Sequence, residues 1–318
     1  MALTRAGVVC AWLLLALCRQ TEPAAAPIPH VRRASAPVLG FQVPFDSARR
    51  RLVSALGRAR PRGPVAALVD PAASDSPQWQ QFADWASARG IRCEKWRIGD
   101  VGGGLRGAIA TENVREGAVL VAAPPEAVLS VREGDACPLP RSFIDPAYWN
   151  SMAKKWEVRM ALLLLYEQSL GAQSAWAAYL GVLPQTLGLP LTFSEEEVQE
   201  LQYPAFIADV QIERKFWEQQ FEALGSAMAI APSRADFYWA LSCACSRTAT
   251  FTFGGNGSQA QVMFPAADMF NHDSSAAAAF RFSAASGCFE LAAARATPSG
   301  RELVISYGAG SNSQQLPL

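Results

Sequence analysis

The spacing of hydrophobic residues changes twice along the chain. Short apolar runs separated by Gly and Pro lie at 107–111, 118–123 and 127–131, and such runs are typical of strands. Helical spacing predicts helices at 78–87, 156–170, 204–224 and 233–246. Strand-sized runs return at 261–264, 280–283, 288–292 and 302–306. Strands, then helices, then strands do not fit a regular βαβ winding, so the sequence predicts an α+β fold with a helical insert.

Short local signals predict where elements begin and turn. Ser194 is followed three residues later by Glu197, which predicts a capping box at the start of a helix. Residues 284–287 predict a hairpin turn between two strands. Pro, Gly and Arg interrupt residues 56–64, so regular structure is expected to begin near Ser76.

The N-terminal quarter has the composition of a targeting segment. Residues 1–22 have a basic start and an apolar run, Val8–Cys18, that is too short to span a bilayer, which predicts a signal peptide. Pro23–Val69 contains one acidic residue, Asp46, against eight arginines, and resembles a plastid transit peptide. Residues 23–75 are therefore predicted to be a targeting or linker segment. Two destinations remain open, a plastid reached through a bipartite address and the secretory pathway, and no membrane association is expected of the mature form.

Composition narrows the possible functions. Lys and Arg together number 28, and Asp and Glu together also number 28, so the chain has no net positive charge to attract nucleic acid. Nucleic acid is therefore not expected as a partner. The two histidines, His30 and His272, are too few for a multi-histidine metal site. None of the seven cysteines forms a Cys-x-x-Cys pair, and no metal is predicted.

Three distant segments carry candidate chemistry. The first is Gly104–Thr111, a glycine-containing turn that leads into a strand, followed by Arg115–Leu120. The second, Phe264–Asp273, has the pattern apolar-Pro-x-x-Asp-x-x-Asn-His. The third, Gly300–Gly308, ends in Ile-Ser-Tyr-Gly and is followed by Ser311 and Asn312.

Together these segments resemble the SET-domain family, in particular the subgroup containing the Rubisco large-subunit lysine methyltransferase. Stretches at 176–184 and 236–247 resemble the helical insert of the same subgroup, and the resemblance covers about 78–316. It implies β-sheets with a pseudoknot-like C-terminal segment. The implied SET domain spans 76–318, divided into a strand-rich part (92–142), a helical insert (143–245) and a closing part (246–318).

The resemblance also implies a function and a set of site residues. The expected activity is transfer of a methyl group from S-adenosyl-L-methionine to a lysine of a protein substrate, by a monomer. Tyr307 is implied as the catalytic residue, and Ser246 and Asp268 as substrate-binding residues. The implied cofactor-binding residues are Gly104, Leu105, Arg106, Arg247, Asn271 and His272.

Two departures from the family pattern leave alternatives open. A histidine-methylating relative has asparagine two positions after the matching arginine, whereas this chain has Ala249, which favours lysine over histidine. The sequence ends shortly after Asn312, so the family's C-terminal substrate-binding domain is expected to be absent. A catalytically impaired SET-like module that binds a protein, and a protein-histidine methyltransferase, therefore remain alternatives.

Overall fold

The computed structural model describes residues 77–102, 105–253, 258–273, 276 and 280–306. The predicted signal peptide (1–22) and targeting segment (23–75) lie outside the described residues. The described α-helices are α1 (Pro77–Ala88), α2 (Pro146–Ser151), α3 (Trp156–Ser169), α4 (Ala177–Leu180), α5 (Glu195–Gln199), α6 (Pro204–Ala227) and α7 (Arg234–Arg247).

Strands precede and follow the helical segment. The first group is β1 (Arg92–Cys93), β2 (Trp96–Gly102), β3 (Leu105–Ala110), β4 (Val119–Ala123) and β5 (Leu129–Val131). The second group is β6 (Thr248–Phe253), β7 (Ser258–Met263), β8 (Asn271–His272), β9 (Phe280–Ser283), β10 (Cys288–Ala292) and β11 (Glu302–Ile305). The α+β prediction is confirmed, with helices α2 to α7 between the two groups of strands.

The strands form three small sheets that mix the two groups. Their orders are β1-β4-β10-β9, β2-β3-β11-β8 and β5-β7-β6. Each sheet pairs strands from before the helices with strands from after them. The polypeptide therefore closes on itself across the helical insert.

Strand β11 joins the N-terminal and C-terminal motifs. It pairs antiparallel with β3, where Glu302 lies opposite Ile109. On its other side it pairs parallel with β8, where Val304 lies opposite Asn271 and Ile305 opposite His272. The three sequence motifs are thus neighbours in one sheet.

Helix α3 lies at the centre of the core. All eight residues from 158 to 165 are buried. Seven of them are Val, Met, Ala or Leu with an exposed fraction of 7% or less, and the eighth is Arg159. A helix that is apolar all round must be covered on all sides. Helices α7 and α4 and strand β5 pack against it.

Arg159 is a buried cation in this apolar helix, with 2% of its surface exposed. Its Nε donates to the carbonyl of Trp149 (3.1 Å), and its Nη1 donates to the carbonyls of Arg132 (2.8 Å) and Glu133 (2.9 Å). Burial lowers the pKa of Arg159 from its ordinary value, with Asp135 among the groups that oppose this shift. The guanidinium therefore ties the loop after β5 to α2 and α3.

Most of the helices and local signals predicted from the sequence are present in the structure. The helices predicted at 78–87, 156–170, 204–224 and 233–246 are present with ends shifted by three residues at most. The capping box is confirmed, because Ser194 Oγ accepts from the Glu197 N–H and the Glu197 carboxylate accepts from the Ser194 N–H. The turn at 284–287 is also present, with Gly287 at a φ of 67°. Strands β1, β2, β6 and β8 were not predicted individually.

Among the described helices, none combines the length and the apolar character that crossing a membrane requires.

Replacing Arg159 with methionine is expected to destabilise the protein by about 2–5 kcal/mol, because three carbonyls lose a charged donor inside the core. The free energy of unfolding is measured by urea denaturation of the full chain. Arg141→Met is the matched control, because Arg141 is exposed. Equal stability of the two variants would contradict the assigned role of Arg159.

Candidate functional site

The side chain of Asn271 connects the three sequence motifs. Its Nδ2 donates to the carbonyl of Arg106 (2.9 Å) and to Oε1 of Glu302 (2.8 Å). Arg106 belongs to the first motif, Asn271 to the second and Glu302 to the third. A primary amide has two N–H donors, so both are used here.

Gly107 provides the space for this connection. A Cβ at this position would lie 2.5 Å from Oε1 of Glu302, 2.8 Å from Cγ1 of Val101 and 2.9 Å from Nδ2 of Asn271. Such distances are shorter than real side-chain contacts, so a side chain here displaces the amide or the carboxylate. A glycine is required at this position because the side chains of Asn271 and Glu302 lie directly against the backbone of the strand.

A buried ion pair links the second motif to helix α7. Arg247, the last residue of α7, donates from Nη1 to the backbone carbonyl of Asp268 (3.0 Å) and to its Oδ2 (3.1 Å). Tyr179 of α4 donates its hydroxyl to the same Oδ2 at 2.8 Å. The side chain of Asp268 is 2% exposed and that of Arg247 is 19% exposed. The helical insert and the second motif are therefore joined by a network of three side chains.

Burial dominates the electrostatics of this network. It raises the pKa of Asp268 above its ordinary value, and the charge of Arg247 and the Tyr179 hydroxyl act against it. Burial, together with the neighbouring Asp268, raises the pKa of Tyr179 well above its ordinary value. Burial also raises the pKa of Cys243 to about 12. Tyr179 is thus a protonated donor and Cys243 a neutral thiol near neutral pH.

A second guanidinium stands near the first. The Cζ of Arg106 lies 4.5 Å from the ring centroid of Trp79. Burial lowers the pKa of Arg106, and the charge of Arg247 lowers it further. Because the two positive charges repel each other, a negatively charged group between them would be bound favourably.

Polar atoms in the network have capacity for a further partner. Among the described residues, Nε of Arg247 and Oδ1 of Asp268 are buried and make no hydrogen bond. Buried polar atoms are almost always paired in proteins, so these two atoms could each donate a hydrogen bond to a bound ligand or accept one from it.

The turn that presents Asp268 is strained. Ala266 has a φ of 71°, in the left-handed region that residues with a Cβ rarely adopt. The following backbone is closed by the Asp268 N–H, which donates to the carbonyl of Phe264 at 3.1 Å. Strain of this kind costs on the order of 1–3 kcal/mol and concentrates at functional sites.

The structure brings together several of the residues that the sequence singled out. Arg106, Arg247, Asp268 and Asn271 lie in the connected networks described above. His272 lies in β8 opposite Ile305. Leu105 opens β3 and is 46% exposed. Ser246 is half-buried near the end of α7, and its Oγ donates to the carbonyl of Ser242 at 2.7 Å.

Two predicted site residues fall outside the described residues. These are Gly104, which precedes β3, and Tyr307, which follows Ser306 at the end of the described chain. Their assigned roles remain predictions. Ser306 itself is described, so the third motif is placed up to the residue before the tyrosine.

Three further residues at the site were given no role from the sequence. They are Gly107, Glu302 and Tyr179. The first two lie inside the motifs described above. For Gly107 a signal was available, since a glycine within a strand often marks a place where another chain segment approaches the backbone closely. Tyr179 lay in the insert segment, 89 residues from Asp268 in sequence, and no local pattern indicates their contact.

The chain is similar to one protein family and to several characterised proteins. The model described as "SET domain" matches residues 105–308. The chain is 25% identical over 268 residues to the chloroplastic ribulose-1,5 bisphosphate carboxylase/oxygenase large subunit N-methyltransferase of Pisum sativum, covering 76% of this chain and 51% of the pea protein. It is 24% identical over 246 residues to the actin-histidine N-methyltransferase of Canis lupus familiaris, covering 72% of this chain and 40% of the dog protein.

Solved structures share the fold. The crystal structure of the SET domain of LSMT bound to lysine and AdoHcy is similar with a TM-score of 0.59 and 20% identity, covering 76% of this chain and 56% of that one. At this identity the similarity establishes the fold. The chain spans about half the length, or less, of the curated relatives it matches.

Gly107→Ala is expected to destabilise the protein by about 1–3 kcal/mol, because the new methyl group overlaps Glu302 and Asn271. The free energy of unfolding is measured by urea denaturation followed by tryptophan fluorescence. Gly134→Ala serves as the control, because nothing lies within 4 Å of a Cβ there. A Gly107→Ala variant as stable as the control would mean that the strand does not pass beneath the amide.

Proposed function

Since this chain belongs to the SET-domain family, we propose that it is an S-adenosylmethionine-dependent protein-lysine N-methyltransferase. The observation that carries the proposal is the Asn271 amide, which joins the three motifs by hydrogen bonds to Arg106 and Glu302. These motifs are far apart in sequence. Their convergence on one polar side chain is what a shared cofactor site requires.

The residues present fit S-adenosylmethionine. The cofactor has a carboxylate, for which Arg106 and Arg247 supply two neighbouring cations. The unpaired buried Nε of Arg247 is a further donor of the kind that a charged ligand satisfies. We propose that the cofactor is held by Gly104, Leu105, Arg106, Arg247, Asn271 and His272. When bound, it supplies a methyl group on a positively charged sulfur.

The protein's part in such a transfer is alignment and desolvation. An in-line displacement needs a neutral amine held on the axis of the bond that breaks, and positioning of this kind supplies much of the rate. Burial of the substrate lysine beside Ser246 and Asp268 would lower the pKa of its ammonium and favour the neutral amine. We assign to Tyr307 the oxygen that orients this amine.

Lysine is favoured over histidine as the methylated residue. Among the relatives, the dog protein is an actin-histidine methyltransferase, so both chemistries occur in proteins similar to this chain. The asparagine two positions after the matching arginine, which accompanies histidine methylation in the family resemblance, is Ala249 here. Ala249 lies in β6 opposite Val262 and has no polar group for an imidazole.

The cellular destination is proposed to be a plastid. The name of the pea relative includes the word chloroplastic, and residues 23–69 resemble a transit peptide. The secretory route remains the alternative, because residues 1–22 have the pattern of a signal peptide. The partner is a protein that presents a lysine, and the chain is proposed to act as a monomer.

The activity is tested by incubating the full chain with radiolabelled S-adenosylmethionine and a plastid lysate, followed by mass spectrometry of the labelled protein. Mono-, di- or trimethylated lysine is expected. Methylated histidine would favour the histidine alternative. Cofactor binding by calorimetry without any transfer would indicate the protein-binding module instead.

In the same assay, Tyr307→Phe is expected to lower kcat by roughly 100-fold and to leave the Kd for cofactor nearly unchanged, because only an oxygen at the reacting centre is removed. Tyr203→Phe is the control, since Tyr203 is 43% exposed at the start of α6. Equal kcat in both variants would overturn the assignment of Tyr307.

A fluorescent protein fused after Val69 is expected to enter plastids when expressed in plant cells. Removal of residues 1–22 from the fusion tests whether the apolar run is part of the address. Fluorescence in the endoplasmic reticulum would select the secretory route. Fluorescence confined to the cytosol would contradict both routes.

A further inference from the structure

We propose that Tyr179 is a positioning residue that acts through Asp268 to aim the Arg247 guanidinium at the carboxylate of S-adenosylmethionine. The inference rests on the proposed function and adds a residue from the helical insert to its cofactor site. Tyr179 contacts the network through one atom, because its hydroxyl donates to Oδ2 of Asp268 at 2.8 Å. The same oxygen accepts from Nη1 of Arg247 at 3.1 Å.

The tyrosine ring is enclosed by other aromatic side chains. Tyr179 is completely buried. Its ring stacks on Trp85 at 6.0 Å with an interplanar angle of 10° and also lies near Phe82 (6.1 Å) and Trp176 (6.3 Å). Because the ring is closely packed, the Tyr179 hydroxyl has one position available. The Asp268 carboxylate that accepts its hydrogen bond is therefore held in one orientation.

The orientation of Asp268 decides the orientation of Arg247. Both hydrogen bonds between the two residues use Nη1, one to the backbone carbonyl of Asp268 and one to its carboxylate. A guanidinium is planar, so fixing one nitrogen by two acceptors fixes the plane of the other two. Nε and Nη2 then present the edge that binds a carboxylate with two parallel hydrogen bonds.

The chain contains a second network of the same chemistry, which serves as a control. The hydroxyl of Tyr238 donates to Oε2 of Glu218 at 3.0 Å, and Arg234 pairs with the same carboxylate. This second network joins α6 and α7 and shares no residue with the three motifs. Tyr238→Phe therefore removes a tyrosine-to-carboxylate hydrogen bond without touching the proposed site.

The first measurement is the Kd of the full-length parent and variants for S-adenosylmethionine, by calorimetry. Tyr179→Phe is expected to weaken binding roughly fivefold, the effect of losing one hydrogen bond to a charged group. Tyr238→Phe is expected to change the Kd by less than about twofold. In the transfer assay, Tyr179→Phe should raise the KM for cofactor by the same factor as the Kd and leave kcat within about twofold of the parent.

A double-mutant cycle tests whether Tyr179 acts through Asp268. Asp268→Asn is combined with Tyr179→Phe, and if the tyrosine acts only through the carboxylate, the double variant binds cofactor no more weakly than Asp268→Asn alone. Additive losses would show that Tyr179 supports the fold and would overturn the inference. Should Asp268→Asn not fold, Arg247→Lys replaces it in the cycle, because lysine keeps the charge and loses the planar fork.

The outcomes separate the two proposals. A parent chain that binds no S-adenosylmethionine overturns the proposed function, and the inference with it. A parent that binds cofactor together with a Tyr179→Phe variant of unchanged Kd overturns the inference alone. Thermal unfolding of both tyrosine variants accompanies these measurements, and a similar Tm for the two supports a local effect on the site.

Discussion

The architecture depends on the hydrogen bonds of one amide, the side chain of Asn271. Its two N–H groups reach a backbone carbonyl in β3 and a carboxylate in β11, at 2.9 and 2.8 Å. The parallel pairing of β8 with β11 puts the amide in reach of both, and Gly107 leaves room for it. An acceptor left without this donor in a half-buried position would cost about 1–3 kcal/mol. Few other single side chains in the described part of the molecule join segments so distant in sequence.

The neighbouring ion pair has a different physical character. Arg247 and Asp268 are both removed from water, and desolvation offsets much of their attraction. Such a pair contributes little net stability, whereas the loss of one partner leaves an uncompensated buried charge. We therefore interpret the pair as a device that fixes geometry. Tyr179 extends it into the helical insert, so the insert and the second motif share one polar network.

Much of the fold was predictable, because its signals are local. The helix that begins at Trp156 was predicted with the correct first residue, since apolar side chains recur there at helical spacing. Strand β6 was missed for an equally local reason. Arg247 ends α7 and Thr248 begins β6, so no glycine or proline separates the two elements. What makes 248–253 a strand is its pairing with β7, which sequence periodicity does not report.

The candidate site was predictable only in part. Motif resemblance selected Arg106, Arg247 and Asn271, and the structure brings all three together. It did not indicate that the carboxylate of Asp268 is occupied by Tyr179 and Arg247, because hydrogen-bond geometry between distant residues leaves no pattern in the sequence. The substrate-binding role given to Asp268 remains a prediction. Since its side chain is only 2% exposed, a substrate could contact the backbone of Asp268, or its side chain after a rearrangement.

The central position of β11 has a consequence for how the protein acquires its site. The bond between Asn271 and Arg106 closes a loop of 165 residues, and β11 cannot pair with β3 until nearly all of the described chain has been synthesised. Contacts of such sequence separation carry a large entropic cost and form slowly, whereas helices such as α3 and α6 form from neighbours in the chain. We expect the helical insert to collapse first and the β3-β11-β8 pairing to form last. A nascent chain would then hold the apolar faces of its early strands uncovered for most of its translation, and those strands are where it would need a chaperone.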